Sequence, residues 1–161
     1  MESSSAGDAM TEAELRALQD RHAIEELMHR YAWMVDRREW KRMDEVFAPG
    51  ATIDYTSTGG IKGEYRATLA WLDRALAPWP INLHFLTNLQ LEVDGDRARS
   101  RILFQAPMGR ARPDGTQEVI TNGGWYDDRL VRTAQGWRIA ERVCNQILMI
   151  GSLPPGYAIP A

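Results

Sequence analysis

The segment LHFLTNLQLEV, residues 83–93, is the first of four strand-like stretches that decide the fold. The other three are RARSRILFQAPM (97–108), EVITNGGWYDDRLV (118–131) and WRIAERVCNQILMI (137–150). Residues that favour β-strands dominate each stretch. The connections VDGD, RPDG and TAQG supply the Gly or Asp that a tight turn requires. This half of the chain is therefore predicted to form hairpin-linked antiparallel strands.

Three helices are predicted to precede these strands. The first begins at Thr11, which forms a capping-box pattern with Glu14, and continues through DRHAIEELMHRYAWMVD (20–36). The second lies in RREWKRMDEVF (37–47) before Pro49-Gly50, and the third lies in EYRATLAWLDRALA (64–77). ATIDYTS (51–57) is predicted to be a strand and GGIKG (59–63) a loop. Helices first and strands afterwards indicate an α+β fold, with helices on one face of a curved antiparallel sheet.

The composition fits one folded domain with a small-molecule partner. The chain has 161 residues and 44% apolar content, and we assign residues 11–161 to a single domain. Residues 1–10, MESSSAGDAM, are small and polar and are expected to form a disordered tail. A net charge of -3 argues against nucleic acid as a partner. Because Cys144 is the only cysteine and no secretory or membrane-spanning stretch is present, we expect a cytoplasmic protein without membrane contact.

His84 and Asp36 are a candidate acid–base pair. Strand alternation places His84 on one face with Leu86, Asn88 and Gln90. A histidine can accept and return a proton near neutral pH when a partner fixes its tautomer. Asp36 is the candidate partner, because it ends the first helix, where the helix dipole disfavours a carboxylate. The residues alone leave another interpretation open, in which Asp36 ends the helix in solvent and His84 is a hydrogen-bonded core residue.

Four segments, taken in order, resemble the SnoaL-like branch of the nuclear transport factor 2-like superfamily. They are RYAWMVDRREW (30–40), TIDYTS (52–57), LHFLTN (83–88) and GGWYDDRLVRTAQGWRI (123–139). The resemblance implies a cone-shaped fold. Scytalone dehydratase, hexachlorocyclohexane dehydrochlorinase and bile acid 7α-dehydratase, within this superfamily, eliminate a leaving group from a ring with a His–Asp pair. Asp36 and His84 match the positions of that pair.

The resemblance also implies roles for other residues. Tyr31 matches a tyrosine of the bile acid enzyme and replaces the lysine of the dehydrochlorinase, which argues against chloride loss. Tyr55 matches a tyrosine that contacts the substrate carbonyl through water in scytalone dehydratase, and Asn88 is a further candidate to bind that oxygen. Met108 replaces a second histidine of scytalone dehydratase, which argues against scytalone as substrate. Arg142 resembles an arginine near the pocket of the bile acid enzyme, although a place on the sheet surface fits the sequence equally well.

Together these matches imply a dehydratase, a carbon–oxygen lyase that needs no cofactor. Its expected substrate is a hydrophobic cyclic hydroxy-ketone, steroid-like or polyketide-like, whose carbonyl accepts the electrons. An isomerase or polyketide cyclase with the same base, or a non-catalytic small-molecule-binding module, remain alternatives. No metal is expected, because His22 and His29 lack the three or four convergent ligands of a usual zinc site.

The C-terminal segment ILMIGSLPPGYAIPA (147–161) is too apolar to lie exposed. We expect it either to cover the mouth of a pocket or to contact another subunit, and favour a lid. Similar lyases are often trimers assembled through the sheet, so the resemblance also favours a homo-oligomer, and a trimer in particular.

Overall fold

The four long strands at the C-terminal end of the chain form the predicted meander in a computed structural model, which describes residues 9–160. They are β4 (Phe85–Asp94), β5 (Arg97–Ala111), β6 (Gln117–Thr133) and β7 (Gly136–Ile150), and consecutive strands pair antiparallel. The expected disorder of residues 1–10 falls mostly on residues 1–8, which lie outside the described residues. Among the described residues, no helix is long and apolar enough to cross a membrane.

Three shorter strands complete the seven-stranded sheet among the described residues: β1 (Phe47–Asp54), β2 (Lys62–Glu64) and β3 (Ile81–Asn82). The order across the sheet is β2-β1-β7-β6-β5-β3, and β4 pairs with the same edge of β5 as β3 does. One pair departs from the predicted antiparallel pattern, because β1 runs parallel to β7. Strand β1 therefore lies between the next strand in the chain, β2, and the last one, β7.

Helix α1 (Glu12–Asp36) packs one apolar face against the sheet. Its predicted capping box is confirmed, since the Thr11 side chain accepts from the Glu14 amide and the Glu14 carboxylate accepts from the Thr11 amide. Residues at helical spacing are almost wholly buried: Ile24, Leu27, Met28, Tyr31 and Val35. The burial of this face fixes which side of α1 meets the sheet and therefore where its last residue, Asp36, lies.

The second predicted helix is short and irregular. It is a 3-10 helix, Trp40–Glu45, rather than a helix through residue 47. Arg38 adopts a left-handed backbone conformation with φ 57° and breaks the chain direction after α1. Strand β1 then begins at Phe47, earlier than predicted, because a register shift between Phe47 and Thr52 accommodates Pro49 and Gly50 within it.

Helix α2 (Tyr65–Leu76) is confirmed with its predicted apolar stripe. Leu69 and Leu76 are buried, and Leu72 is half-buried against the same core. The side chain of Glu64 accepts from the Arg66 amide and caps its first turn. Together α1, the 3-10 helix and α2 supply the three helices expected before the meander, and α2 closes one side of the concave sheet.

The predicted alternation in β4 is wrong beyond Leu86. Asn88 has φ 56°, and the register with β5 shifts between Thr87 and Gln90. This bulge inserts one residue and so reverses the inward and outward positions after it. Leu86, Leu89 and Leu91 consequently all pack against the core, although strict alternation would separate Leu86 from the other two.

Candidate active site

A cavity of about 350 Å³ lies between the concave face of the sheet, α2 and the C-terminal segment. Most of its surface is apolar, and aromatic rings form its walls: Tyr31, Tyr55, Trp71, Trp79, Phe104 and Tyr126. Phe104 and Tyr126, neighbours on β5 and β6, stack with ring centroids 4.6 Å apart. A cavity of this size and lining suits a compact, flat and mainly apolar ligand.

His84 reaches this cavity and contacts Asp36. The Nδ1 atom of His84 lies 2.6 Å from Oδ1 of Asp36, and the His84 amide donates to Oδ2 at 3.0 Å. The side chains are only 9% and 11% exposed. This two-point contact excludes the interpretation in which Asp36 ends the helix in solvent. Because the carboxylate occupies Nδ1, Nε2 is the ring atom that remains free to exchange a proton with a ligand.

Tyr31 and Tyr55 form a second polar group in the cavity. Their phenol oxygens are hydrogen-bonded to each other, and both residues are buried. Burial raises the pKa of both phenols, so they remain protonated donors near neutral pH. Tyr31 enters from the core face of α1, packed edge-on against Phe47 and Tyr126, whereas Asp36 enters from the end of the helix. The five-residue spacing between Tyr31 and Asp36 is thereby compatible with one site.

An amide pair that the sequence did not single out supplies a third polar group. Nε2 of Gln146 donates to Oδ1 of Asn122 at 3.0 Å, and both side chains line the cavity. Whichever way the two amides are oriented, one donor and one acceptor stay free for a ligand. Ala106 pairs with Asn122 and lies next to His84, so Asn122 is two strands, roughly 10 Å, from His84. The sequence feature that could have predicted this pair is Asn122, a polar residue at an inward position of β6 between Ile120 and Tyr126.

The remaining predicted site residues separate into one that lines the cavity and two that do not. Met108 lines it beside Ile120 on the neighbouring strand. Asn88 lies exposed on the β4 bulge and does not reach it, because the bulge moves it off the inward face. Arg142 is neither on the surface nor in the lining: it is wholly buried beneath Tyr31 and bound to Asp128.

The C-terminal segment lies over the cavity, as expected for a lid. Leu153, Tyr157 and Ile159 belong to the lining. The Tyr157 phenol donates to the carbonyl oxygen of Ala75 at 3.1 Å, and the Trp71 indole donates to the carbonyl oxygen of Pro160 at 2.8 Å. These contacts connect the segment to α2 beside the cavity.

Within residues 9–160, no cluster of three or more His, Cys, Asp or Glu side chains could hold a metal ion. His22 and His29 lie exposed on α1, and His29 is 3.7 Å from Glu26. Cys144 is buried at the cavity wall, and burial raises the pKa of its thiol to about 12. It therefore stays protonated and unreactive. The acid–base chemistry available in the cavity is that of His84 with Asp36 and of the phenols.

Two solved structures of other proteins share this fold. A protein from Novosphingobium aromaticivorans, assigned provisionally as a scytalone dehydratase, superposes with a TM-score of 0.70 and 20% identity over 88% of this chain and 97% of its own. A type 2 hexachlorocyclohexane dehydrochlorinase superposes with a TM-score of 0.69 and 22% identity over 89% of this chain and 99% of its own. At these identities the likeness shows the fold.

The sequence itself shows the family. An uncharacterised protein of Mycobacterium tuberculosis is 42% identical over 135 residues, which cover 82% of this chain and 90% of that protein. The SnoaL-like domain model matches residues 16–143, from the first turns of α1 to β7. Because that match spans most of the sequence, the chain belongs to the SnoaL-like domain family, within the nuclear transport factor 2-like superfamily.

Proposed function

We propose that the protein is a cofactor-independent dehydratase that removes water from a hydrophobic cyclic hydroxy-ketone. The observation that carries this proposal is the His84–Asp36 contact at the wall of an aromatic cavity. A histidine with its tautomer fixed by a carboxylate is a general base suited to neutral pH. The names of two structurally similar proteins, a provisionally assigned dehydratase and a dehydrochlorinase, agree with elimination chemistry.

The proposed reaction moves one proton and breaks one carbon–oxygen bond. Nε2 of His84 takes the proton from the carbon next to the substrate carbonyl, and the electron pair of that C–H bond forms an enolate. Asp36 stabilises the imidazolium. The enolate then re-forms the carbonyl and a carbon–carbon double bond, while the hydroxyl at the β-carbon leaves with the proton from His84 as water. The products are the unsaturated ketone and water, so base and acid are both regenerated.

The Tyr31–Tyr55 pair is the proposed donor to the enolate oxygen. A hydrogen bond from a preorganised donor is worth most where negative charge develops in a site that excludes water. Both phenols are buried and already oriented by their mutual hydrogen bond. Tyr31 can donate to the substrate while accepting from Tyr55, which keeps both hydroxyls paired in the complex.

The lining also supports a neutral substrate. The described side chains of the cavity include no Lys or Arg that could pair with a ligand carboxylate, and the Asp36 carboxylate lies close behind His84. A charged substrate would lose its hydration without gaining a partner. Asn122 and Gln146 can instead hydrogen-bond a hydroxyl or carbonyl at the far end of a ring system, with Met108 against its apolar part.

A panel of neutral cyclic hydroxy-ketones, steroid-like and polyketide-like, tests the proposal. Purified protein is incubated with each compound, and products are followed by the absorbance of the conjugated ketone and by mass spectrometry. Loss of water that depends on the protein supports the dehydratase. A product of unchanged mass would identify an isomerase or cyclase that uses the same base, and binding without any turnover would identify a non-catalytic binding module.

A further inference from the structure

An ion pair lies wholly buried beneath the cavity. Arg142 on β7 and Asp128 on β6 are cross-strand partners with no exposed side-chain surface. Nε of Arg142 donates to Oδ1 of Asp128 at 2.8 Å, and Nη2 donates to Oδ2 at 2.6 Å. Two charges removed from water cost more than a pair of apolar side chains of similar volume. Stability alone therefore does not account for this pair.

The guanidinium of Arg142 faces two phenol rings. Its Cζ lies 4.1 Å from the ring centroid of Tyr31 and 4.3 Å from that of Tyr126. Cations at this distance are attracted to the ring face, and desolvation strengthens the attraction. Tyr31 in turn is hydrogen-bonded to Tyr55 in the cavity. The positive charge is thus in contact with the ring of a tyrosine that lines the cavity.

One donor of Arg142 is left over. Nη2 also approaches the Met28 sulfur at 3.2 Å, whereas Nη1 has no hydrogen-bond partner within residues 9–160. A buried donor without a partner is unusual and calls for an explanation. The Arg142 guanidinium keeps this position, with its Cζ in contact with both rings, although one donor is unpaired. Contact with the phenol rings, rather than complete hydrogen bonding, therefore sets its position.

We propose that Arg142 is a positioning residue that acts through the Tyr31 ring, so that the Tyr31–Tyr55 pair binds the oxyanion form of a ligand in preference to the neutral form. The cation draws electron density from the ring and strengthens the phenol as a donor. Asp128 holds the guanidinium in place through its two hydrogen bonds. This inference deepens the proposed function, since an enolate is such an oxyanion.

The electrostatic balance around the phenols agrees with this assignment. Burial raises the pKa of Tyr31 and of Tyr55, and Arg142 opposes the rise in both. The other titratable groups at the cavity wall are His84, Tyr126, Cys144 and Tyr157. Burial also raises the pKa of Tyr126 and Cys144, so neither supplies negative charge near neutral pH. Arg142 is therefore the charge that opposes the cost of placing an anion beside the phenols.

A ligand that cannot react tests the inference directly. 4-Nitrophenol ionises near neutral pH and its anion absorbs visible light, so its affinity can be measured for both forms across pH. 4-Nitroanisole is the neutral control of similar shape. The comparison is between the wild-type protein and the double variant Arg142→Met with Asp128→Leu, which removes both charges together and leaves neither one unpaired. Circular dichroism verifies that the double variant is folded.

The wild-type protein is expected to prefer the nitrophenolate anion over the neutral phenol about tenfold more strongly than the double variant does, a size typical of a desolvated cation–π contact. Binding of 4-nitroanisole should be the same in both within twofold. An equal preference for the anion in the two folded proteins would overturn the proposal. A purely structural role would change stability or weaken both ligands equally.

Tyr31→Phe supplies a second test if the double variant does not fold. Because Arg142 acts through the phenol, this variant should lose the preference for the anion although Arg142 is retained, and an undiminished preference would overturn the proposal. The proposed role of Arg142 and the proposed dehydratase reaction can be contradicted independently. Anion preference without turnover on any hydroxy-ketone contradicts only the reaction, and turnover without anion preference contradicts only the role of Arg142.

Discussion

Asp36 and His84 act as a unit, so the loss of either should abolish most of the proposed activity. We expect Asp36→Asn and His84→Ala each to reduce turnover by roughly 100-fold or more, the contribution of a general base and of its orienting partner. Both variants should keep the fold, because the pair lies at the cavity wall. Turnover on the hydroxy-ketone panel gives the measurement, and near-normal turnover by a folded His84→Ala variant would eliminate the mechanism.

The effect of removing the Tyr31 hydroxyl on kcat and on KM distinguishes a hydrogen-bond donor to the substrate from a core residue. Tyr31→Phe is expected to lower kcat by roughly 10- to 1000-fold with KM little changed, because one donor to the enolate oxygen is lost. Tyr65→Phe is the matched control, since Tyr65 is a buried tyrosine stacked on Phe47 outside the cavity. An unchanged kcat in Tyr31→Phe would identify Tyr55 as the donor instead.

Single residues also show where prediction from the sequence ends. The Asp36–His84 contact was implied by the resemblance, because both belong to segments that match the family. Asn88 was misplaced because one residue with positive φ reverses the alternation of β4, and nothing in the pattern LHFLTN marks that bulge. Arg142 was predicted either at the pocket or on the sheet surface, and both positions are wrong. Its burial behind Tyr31 depends on the partner Asp128, which only the cross-strand register reveals.

At the scale of elements, Asp20 connects α1 to the sheet. Its carboxylate accepts two hydrogen bonds at 2.8 Å from Arg132 on β6 and one at 3.2 Å from the Trp137 indole on β7. Hydrogen bonds to a charged group typically contribute about 2 kcal/mol. We therefore expect Asp20→Asn to lower the free energy of unfolding by about that amount at pH 7, measured by urea denaturation.

The same connection has a defined pH dependence. The hydrogen bonds from Arg132 lower the pKa of Asp20 below its ordinary value of 3.8. A carboxyl whose pKa is depressed in the folded state contributes stability above its unfolded pKa and loses it as the pH falls through the folded value. The difference between wild type and Asp20→Asn should be constant above pH 5 and shrink below pH 3.8. A difference that persists undiminished at pH 2 would contradict the ionic contribution.

The C-terminal segment is the element whose removal should affect binding rather than folding. Deletion of residues 152–161 takes away Leu153, Tyr157 and Ile159 from the cavity wall and opens it to solvent. We expect the affinity for 4-nitroanisole to fall about tenfold or more, because burial of apolar ligand surface is lost. The far-UV circular dichroism should be unchanged, and an unaltered affinity would show that the segment is not a lid.

For the whole molecule, the sequence predicted the helical layer and the sheet but not which strands pair with each other. Strand and helix types follow from local periodicity and turns, which the meander and α2 display clearly. The parallel pairing of β1 with β7 joins segments about 90 residues apart, and no local pattern encodes it. The concave cavity depends on that closure, because Tyr55, just after β1, meets Tyr31 only when β1 lies beside β7.

The convex face of the sheet carries an apolar surface that a monomer would leave in water. Five side chains on β4 to β7 define this outer apolar face, and all are between 37% and 61% exposed: Phe85, Leu103, Val119, Leu148 and Ile150. The register places them on one side, since Leu103 is opposite Thr87, Leu148 opposite Gly123 and Ile150 opposite Thr121. Contiguous apolar surface of this kind marks an interaction site on a soluble protein.

We propose that a second copy of the chain covers the outer apolar face in a homo-oligomer, and that the trimer expected from similar lyases is the assembly. Multi-angle light scattering should give the mass of three chains for the wild-type protein. The double variant Leu148→Glu with Ile150→Glu should dissociate it, because charges placed in an apolar interface lose hydration without a partner. Leu18→Glu is the control, since Leu18 is equally exposed but lies on the first turns of α1. A wild-type protein that remains a monomer at micromolar concentrations would contradict the assembly, and dissociation by Leu18→Glu would move the interface from the sheet to the helix.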